Sequence, residues 1–315
     1  MSIANVNDTA NNSGVLNNDA PLVVKKRSWG FLLIWPAFLF ILVFIVVYPF
    51  FYNIYRSVFD YSLLTGTSVF VGLRNFAELF TEATFLQSLL ISLFILVVAL
   101  LVETLAGIFI ALILNQNFRG KVVARTLLIL PLGTVPIING YMFNLLFFPG
   151  GGVTDDILMK LKLIGEPLNW LTNTWLARFV IIGADAWQWT SFMIIMILAG
   201  LSAIPESFYE LAKLDNMSPW QTFRRITLPK IKFTLALTML IRAMDLVKYF
   251  DPIFAITKGG PQSATETVSY FIYRFGFRAF KIGYASAGSL IVWLFIWVLS
   301  FLVISKVFTK DKKVL

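Results

Sequence analysis

The stretch YELAKLDNMSPWQTFRRITLP, residues 209–229, is polar, charged and rich in turn-forming residues, although it lies between two long apolar stretches. Just before it, Pro205 can begin a helix, because a missing N–H costs nothing at the first helical position. The residues that follow, ESFYELAKLD, are mostly good helix formers. Asn216 then predicts a chain reversal, since asparagine tolerates left-handed backbone angles better than most residues. This half of the stretch is predicted to be a short helix that ends in a tight turn.

A second short helix is predicted directly after the turn. Ser218 can cap its N-terminus, and Pro219 can occupy its first position. Leu228 and Pro229 are expected to end it, because a residue that precedes proline avoids helical angles. The loop of residues 203–230 is therefore predicted to be a helix, a turn and a helix.

Two interpretations of this loop are open. It can be a linker that lies on anionic lipid, with Arg224 and Arg225 as surface anchors. It can instead be a docking element for a soluble partner, because Met217, Trp220 and Phe223 are apolar side chains of the kind that interfaces favour. Two capped helices joined by a specified turn are more than a linker needs, so we favour docking.

The composition of the chain is that of an integral membrane protein. Of its 315 residues, 58% are hydrophobic and 14% are charged, whereas soluble domains carry about 25% charged residues. The lack of cysteine and histidine excludes disulfides, thiol nucleophiles, imidazole bases and metal sites built on those side chains. No carboxylate pair at a suggestive spacing stands out, so we predict no enzyme, no catalytic residue and no metal site. The net charge of +9 is better explained by membrane topology than by nucleic acid.

Six segments are apolar and long enough to cross a bilayer, which takes about 20 residues in a helix. The predicted spans are residues 31–52, 86–114, 126–148, 175–202, 233–254 and 287–308. They predict an all-α, polytopic membrane protein. Its membrane domain covers residues 28–310 and follows a polar tail, residues 1–27, which is expected to be disordered.

Basic residues orient these spans. More than half of the 26 Lys and Arg residues crowd against span ends on one side, namely around residues 25–27, 119–125, 213–232 and 306–313. Because basic residues mark the cytoplasmic side, both termini and the loop 203–230 are predicted to be cytoplasmic. The segments 148–156 and 257–267 are rich in Gly or Pro and are expected to form compact external loops.

The loop resembles the EAA motif of permease subunits in bacterial ABC importers, which reads Glu-Ala-Ala, three residues, Gly, nine residues, Ile, one residue, Leu-Pro. The residues that fall in register are Glu210, Ala212, Asp215, Ile226, Leu228 and Pro229. Leu211 replaces the second alanine, and Asn216 replaces the glycine. In that family the motif forms coupling helices that insert into a cleft of an ATPase subunit. The resemblance implies that this contact is made by Glu210, Ala212, Asp215, Asn216, Met217 and Phe223.

A second stretch, IRAMDLVKYFDPIFAITKGGPQSATET, residues 241–267, resembles the fifth-span signature of carbohydrate-uptake permeases. It contains an Arg-x-x-Asp-x-x-Lys-x-Phe-Asp run, which a Gly-Gly-Pro loop follows. The similarity is to the subunit type that pairs with a second permease, as in maltose, trehalose and glycerol-3-phosphate importers. It implies the type I ABC importer permease fold and a place in the bacterial cytoplasmic (inner) membrane.

The resemblance also implies what other subunits supply. The chain contains no Gly-x-x-x-x-Gly-Lys-Ser/Thr phosphate loop, so we predict that it binds no cofactor and that a partner ATPase uses ATP and Mg²⁺. The implied partners are a second homologous permease subunit, a dimeric ATP-binding subunit, an extracytoplasmic solute-binding protein, a carbohydrate substrate and membrane lipid. No nucleic acid is expected.

Charged residues in the fifth span indicate a candidate path for the substrate. A charge that faces lipid at mid-bilayer costs about 2.5–3.5 kcal/mol, so these residues must face the interior or water. Helical spacing places Arg242, Asp245, Lys248 and Tyr249 on one face, and Arg242 and Asp245 could pair. Either they line a translocation path or they form a structural ion pair within the helix bundle.

The fourth span contributes DAWQWTSF, residues 185–192. Trp187, Trp189, Thr190 and Phe192 resemble the region where maltose-type permeases touch their ligand. Sugars suit aromatic linings, because their C–H faces stack on rings while their hydroxyls form hydrogen bonds. The alternative is an aromatic belt at the membrane interface. Glu103 in the second span also needs a partner, which the sequence does not name.

The predicted function is therefore that of a permease subunit that forms half of the path for a carbohydrate and is coupled to a separate ATPase. The cargo is expected to be an oligosaccharide, and Arg242 and Lys248 would favour an acidic one. The alternatives are a permease for glycerol-3-phosphate or another polyol, and an ion-coupled secondary transporter in which these charges would serve ions.

Overall fold

The computed structural model describes residues 29–309, with side chains over residues 35–305. The predicted tail, residues 1–27, lies outside the described residues. The chain divides into two compact units, one up to Pro49 and one from Phe50 onward. Among the described residues, helices dominate both units.

The first unit is helical throughout its described part. Helix α1, Trp29–Ile41, passes into a π-helical segment, Leu42–Val47, and then into α2, Tyr48–Ser57, which belongs to the second unit from Phe50 onward. The stretch Trp35–Ser57 is long and apolar enough to cross a membrane. It covers most of the predicted first span.

A short β-hairpin follows α2 and corrects the all-α prediction. Strand β1, Phe59–Tyr61, pairs antiparallel with β2, Ser68–Phe70, and Phe59 lies opposite Phe70. Aromatic and β-branched residues favour such pleated pairs, and Gly66 supplies a left-handed turn residue at φ +65°. Helix α3, Arg74–Thr81, then leads to the long helices.

Two long helices form the centre of the second unit. Helix α4, Ala83–Asn115, packs along most of the length of α8, Thr174–Ser202. They approach closely at Gly107, where an added Cβ would lie only 2.7 Å from the Cβ of Met193. Small and branched apolar side chains fill the seam on both sides of this point.

The predicted third span, residues 126–148, is not one straight helix. Helix α5, Lys121–Ile129, continues through a 3₁₀ turn, Leu130–Gly133, and α6, Pro136–Leu146, leaves at an angle of 98°. The 3₁₀ turn contains Pro131, and Pro136 begins α6, so backbone hydrogen bonds of a continuous helix are lost between them. Helix α7, Val153–Lys160, follows in the connection to α8.

The loop after α8 contains two short helices, α9, Ser207–Leu214, and α10, Pro219–Thr222. Contrary to prediction, the second does not end at Pro229. It runs through a π-helical turn, Phe223–Thr227, directly into α11, Leu228–Val247. In the π turn the N–H of Leu228 bonds to the carbonyl of Phe223, and this wider turn accommodates a proline that has no N–H to donate.

The predicted fifth span, residues 233–254, is also interrupted. Helix α11 ends at Val247, and α12, Asp251–Ile256, begins after three residues outside the helices. Pro252 lies near the start of α12, where its ring would clash with a continuing helical turn. Helix α13, Val268–Tyr273, a π turn, Arg274–Arg278, and α14, Ile282–Thr309, complete the described chain.

Over residues 29–309, four helical stretches are long and apolar enough to cross a bilayer, and the bent pair of α5 and α6 would make a fifth. The four are Trp35–Ser57, Ala83–Asn115, Thr174–Ser202 and Ile282–Ser305. Helix α11 is not among them, because it carries charged residues at both ends. One of these charged residues, Arg242, belongs to the candidate functional site.

Candidate functional site

The turn of the 203–230 loop has the geometry that the sequence predicts. Asn216 adopts a left-handed conformation, with φ +50°. The N–H of Met217 donates to the carbonyl of Ala212 at 2.9 Å, and the N–H of Asn216 donates to that of Lys213 at 3.1 Å. These two bonds form a Schellman motif, which satisfies carbonyls at the end of α9 and fixes the direction in which the chain leaves it.

The start of α10 is fixed equally well. Ser218 is the N-cap, and its side chain accepts a hydrogen bond from the N–H of Gln221. The Gln221 side chain accepts one in return from the N–H of Ser218, which completes a capping box with Pro219 at the first helical position. The predicted helix, turn and helix are thereby confirmed as local structure.

Helix α9 contacts the π turn and the start of α11 through a few side chains. The small side chain of Ala212 is buried at 3% exposure, so it packs within the chain. The hydroxyls of Tyr209 and Thr227 are 3.3 Å apart, and Lys230 lies 4.0 Å from the ring centroid of Phe208. The loop is therefore a folded element and not an extended linker.

The outer face of the loop carries the other predicted coupling residues. Glu210, Asp215 and Asn216 are exposed, while Met217 and Phe223 are half-buried. Three large apolar side chains that were not among the predicted coupling residues are more exposed, at 57%, 77% and 67%: Leu211, Leu214 and Trp220. Their signal was available in the sequence, since a group of large apolar residues in a polar loop indicates an interaction surface.

A cluster of three charged side chains lies in the interior of the second unit, and we call Glu103, Asp185 and Arg242 the charged cluster. Arg242 donates from Nε and Nη2 to the two carboxylate oxygens of Glu103, at 2.8 and 2.9 Å. Its Nη2 also donates to Oδ2 of Asp185 at 2.9 Å. All three side chains are at most 1% exposed.

The cluster joins three helices, because Glu103 belongs to α4, Asp185 to α8 and Arg242 to α11. The ring of Trp189 covers the guanidinium, with its centroid 4.4 Å from Cζ. Tyr249 is buried beside the same groups. Arg242 thus pairs with Glu103 and Asp185 and not with Asp245, as the helical spacing had suggested.

Asp245 and Lys248 form a separate pair near the C-terminal end of α11. The Lys248 ammonium lies 3.4 Å from the Asp245 carboxylate, and the side chains are 59% and 41% exposed. They are accessible from outside the helix bundle of this chain, whereas Arg242 and Tyr249 are not. The four residues predicted to share one path face are therefore divided into a buried pair and an exposed pair.

The aromatic residues of α8 are only partly buried. Trp187 is 39% exposed and packs against Phe143 of α6, with ring centroids 6.1 Å apart. Trp189 is half-buried and contacts Phe192 in an edge-to-face arrangement at 6.2 Å. Thr190 is also half-buried. These side chains lie on α8 within two turns of Asp185.

Sequence reasoning missed a second buried polar group that adjoins this region. The side-chain amide of Asn139 in α6 donates to the carbonyl of Ala184 and to Oε1 of Gln188, at 2.9 and 3.0 Å. The amide of Gln188 donates to the carbonyl of Thr134 at 2.6 Å. The bend between α5 and α6 is thereby tied to α8, one turn from Asp185. Asn139 and Gln188 are polar residues within apolar helices, and this is the sequence signal that each needs a buried hydrogen-bond partner.

Comparison with known proteins identifies the family of the chain. Residues 103–305 match the family described as the binding-protein-dependent transport system inner membrane component. The trehalose/maltose transport system permease protein MalF of Thermococcus litoralis is 32% identical over 91% of this chain and 96% of its own length. The lactose transport system permease protein LacF of Rhizobium radiobacter is 33% identical over 87% of this chain and 92% of its own.

Two further comparisons bear on the fold and on the cargo alternatives. A bacterial ABC transporter chain involved in import of the acidic polysaccharide alginate superposes with a TM-score of 0.78. The overlap covers 90% of this chain and 96% of that one, at 23% identity, so it supports the fold alone. The glycerol-3-phosphate transport system permease protein UgpA of Yersinia pestis is 33% identical over 73% of this chain and 77% of its own.

The match over residues 103–305 includes the folded loop, the charged cluster and most of α14. The resemblance that the loop and the fifth-span signature indicated is confirmed: this integral membrane chain belongs to the family of inner-membrane permease components of binding-protein-dependent ABC transport systems.

Proposed function

We propose that this chain forms one half of the translocation path for a carbohydrate in an ATP-driven importer of the bacterial cytoplasmic membrane. Support for the cargo class comes from curated relatives named for trehalose, maltose and lactose transport. The other half of the path is a second, homologous permease subunit. An extracytoplasmic solute-binding protein delivers the cargo. In support, a bacterial alginate ABC transporter of similar fold forms a complex with an alginate pentasaccharide-bound periplasmic protein.

The permease domain comprises residues 28–310 in this proposal, with six membrane crossings and both termini in the cytoplasm. Helix α11 would be the crossing that hydropathy alone does not identify. A helix with charges can lie in the centre of a bundle when its partners neutralise them. The pairing of Arg242 with Glu103 and Asp185 satisfies that condition.

The observation that carries the coupling proposal is the folded, capped loop with exposed apolar side chains. A dimeric ATPase that uses ATP and Mg²⁺ would bind this loop through Glu210, Asp215, Asn216, Met217, Phe223 and the exposed Trp220. Ala212 would support the contact from within. ATP-driven closure of the ATPase dimer would displace the loop, and the continuous helical path from α10 to α11 would pass the displacement to the charged cluster.

An ion-coupled carrier is the weaker alternative. It would need intramembrane charges that ions can reach, but Glu103, Asp185 and Arg242 are buried and paired with one another. An ion-coupled carrier would also have no function for the folded loop. A permease for glycerol-3-phosphate or another polyol is the second candidate function, because the chain is also similar to the glycerol-3-phosphate permease UgpA.

The chain has no cysteine, so single cysteines can serve as clean cross-linking sites. Asp215→Cys or Met217→Cys is expected to cross-link to the ATPase subunit in native membranes. Leu64→Cys, on the hairpin loop, is the control and should not capture it. Capture of lipid or of this same chain alone at residues 215 and 217 would refute the coupling role.

Deletion of residues 206–222 tests the same proposal by function. The deletion should abolish association with the ATPase and ATP-dependent uptake. An ion-coupled carrier would keep transporting without this loop.

A further inference from the structure

A polar pocket of about 380 Å³ lies at one end of the second unit, where α3 meets the starts of α4 and α14. We call it the outer pocket, since the proposed topology places this end on the extracytoplasmic side. The charged side chains that line it are Asp60, Arg74, Glu78, Glu82 and Lys281. Arg74 pairs with Glu78 at 2.7 Å, whereas among residues 35–305 neither Glu82 nor Lys281 has an ion-pair partner. Two opposite charges are therefore available to a ligand.

The walls of the outer pocket are held in place by the chain itself. The buried amide of Asn75 donates to the carbonyls of Ser57 and Phe59, at 2.8 and 3.0 Å, and so joins α3 to the hairpin. The N–H of Leu63 donates to the carbonyl of Phe280 at 3.1 Å, which holds the hairpin beside the start of α14. The pocket is therefore already formed before any ligand binds.

A second cavity, of about 230 Å³, lies between α4 and α14 further along the same helices, and we call it the apolar groove. The buried side chains of Val247 and Val268 line it from α11 and α13. Ser92 also lines it, but the hydroxyl of this residue already forms two hydrogen bonds within the chain. Leu90 and Leu93 line the groove and are exposed on the surface of this chain. The groove thus offers apolar contacts to the surrounding membrane.

The two cavities lie one below the other along the same pair of helices. On α4, Glu82 of the outer pocket precedes Leu89 of the apolar groove by seven residues. On α14, Tyr284 of the pocket precedes Ile291 of the groove by the same number. Seven helical residues are about 10 Å long, and one leaflet of hydrocarbon is about 15 Å thick. When the pocket lies at the level of lipid head groups, the groove therefore lies at the depth of their acyl chains.

The charges of the outer pocket indicate which head group fits it. A phosphate suits the ammonium of Lys281 and the hydroxyl of Tyr284, which are hydrogen-bond donors. A primary ammonium has three N–H donors and suits the carboxylates of Glu82 and Asp60. A head group with phosphate alone would face three carboxylates and two bases, of which Arg74 is already paired. The acyl chain adds no selectivity, because every lipid of the bilayer has one.

We propose that the outer pocket and the apolar groove together bind one phospholipid with a primary ammonium head group, of the phosphatidylethanolamine type. The phosphate would bind Lys281, the ammonium would bind Glu82, and one acyl chain would occupy the groove. The site faces lipid, so it is independent of which cargo the permease carries.

The test uses the purified permease complex in lipid nanodiscs that contain phosphatidylethanolamine with a photoreactive diazirine on one acyl chain. After irradiation, mass spectrometry of the digested chain locates the attached lipid. The label is expected within residues 89–96 and 291–295, and much less at Leu105 and Phe109, which are also exposed on α4. Unlabelled phosphatidylethanolamine should compete at least about threefold better than phosphatidylglycerol, which has no ammonium, or phosphatidylcholine, whose ammonium has no N–H.

Variants separate the contribution of the head group from that of the acyl chain. Glu82→Gln and Lys281→Gln should each lower the labelling of the groove about three- to fivefold, the effect of losing one partly exposed ionic contact. Glu166→Gln, at an exposed position between α7 and α8, is the control for charge and should have no effect. Leu93→Trp should fill the groove and abolish labelling, whereas Leu101→Trp, about two turns further along α4 and similarly exposed, should not.

Uniform labelling of the exposed apolar helices, or equal competition by the three lipids, overturns the inference, and both measurements use the wild type. Equal loss of labelling in Glu166→Gln and Glu82→Gln would also overturn it, because the pocket would then have no special part. A second subunit that covers the groove is the remaining refuting result. In that case Leu93→Cys would cross-link to that subunit, and the lipid would not label residues 89–96.

Discussion

Arg242 and Glu103 are 139 residues apart in the sequence, yet they form a two-bonded ion pair in the interior of the helix bundle. The same guanidinium also donates a hydrogen bond to Asp185, which lies on a third helix. Removal of the shared cation would leave two carboxylates buried with no counter-charge. Arg242 therefore bonds α11 to both α4 and α8, in addition to the apolar contacts that these helices share.

Replacement of Arg242 by methionine is expected to destabilise the permease by about 3–5 kcal/mol, the cost of breaking a buried ion pair on one side only. The measurement is the thermal stability of the detergent-purified complex, followed by size-exclusion chromatography. Arg74→Met breaks an exposed pair with Glu78 and should cost less than about 1 kcal/mol.

A triple variant, Arg242→Met with Glu103→Leu and Asp185→Leu, removes all the buried charge together. It should recover most of the lost stability, because apolar residues of similar size can replace a buried ion cluster. If Arg242→Met alone is as stable as the wild type, the cluster does not hold these helices together.

The left-handed conformation of Asn216 predicts how substitutions at this position change stability and uptake. Asn216→Gly should keep or raise stability, since glycine adopts φ +50° without strain. Asn216→Val should lower both the stability of the loop and ATP-dependent uptake, because a β-branched residue is strained there by roughly 1–2 kcal/mol. Lys213→Val, at an exposed helical position nearby, is the control. Equal uptake by the three variants would contradict a role for the turn.

The exposed ring of Trp220 predicts a loss of assembly without a loss of folding. Trp220→Ala should reduce co-purification of the ATPase subunit, since large aromatic side chains contribute most to interfaces, often more than about 1–2 kcal/mol. The melting temperature of the isolated permease should change little, because the ring is 67% exposed. Leu64→Ala, on the hairpin loop at 73% exposure, should leave co-purification intact. Retention of the ATPase by the Trp220 variant would remove this residue from the contact.

The close contact between α4 and α8 predicts that even a small side chain at position 107 lowers the stability of the protein. Gly107→Ala places a methyl group 2.7 Å from Cβ of Met193 and should destabilise the helix pair by about 1–3 kcal/mol. Gly183→Ala, also within a long helix but with no atom near its added Cβ, should be neutral or stabilising by up to about 1 kcal/mol. Thermal unfolding of the two variants side by side checks the difference. A neutral Gly107→Ala would mean that the helices are not in tight contact there.

Local chemistry was sufficient to predict several features of this chain. The long apolar runs predicted the membrane helices, and Asn216, Ser218 and Pro219 predicted a turn and a capped helix, because these effects depend on neighbours a few residues away. The motif in residues 209–229 was sufficient to predict the family, which the match over residues 103–305 confirms.

Other features depend on residues that are distant in the sequence. Helical spacing suggested that Arg242 pairs with Asp245, but α4 and α8 present Glu103 and Asp185 to it instead. The bend in residues 121–146 and the continuous helix through Pro229 likewise depend on how prolines are accommodated by wider or tighter turns. A charge in a bundle interior takes the partner that packing places within about 3 Å, and spacing along one helix carries no information about the helices that will surround it.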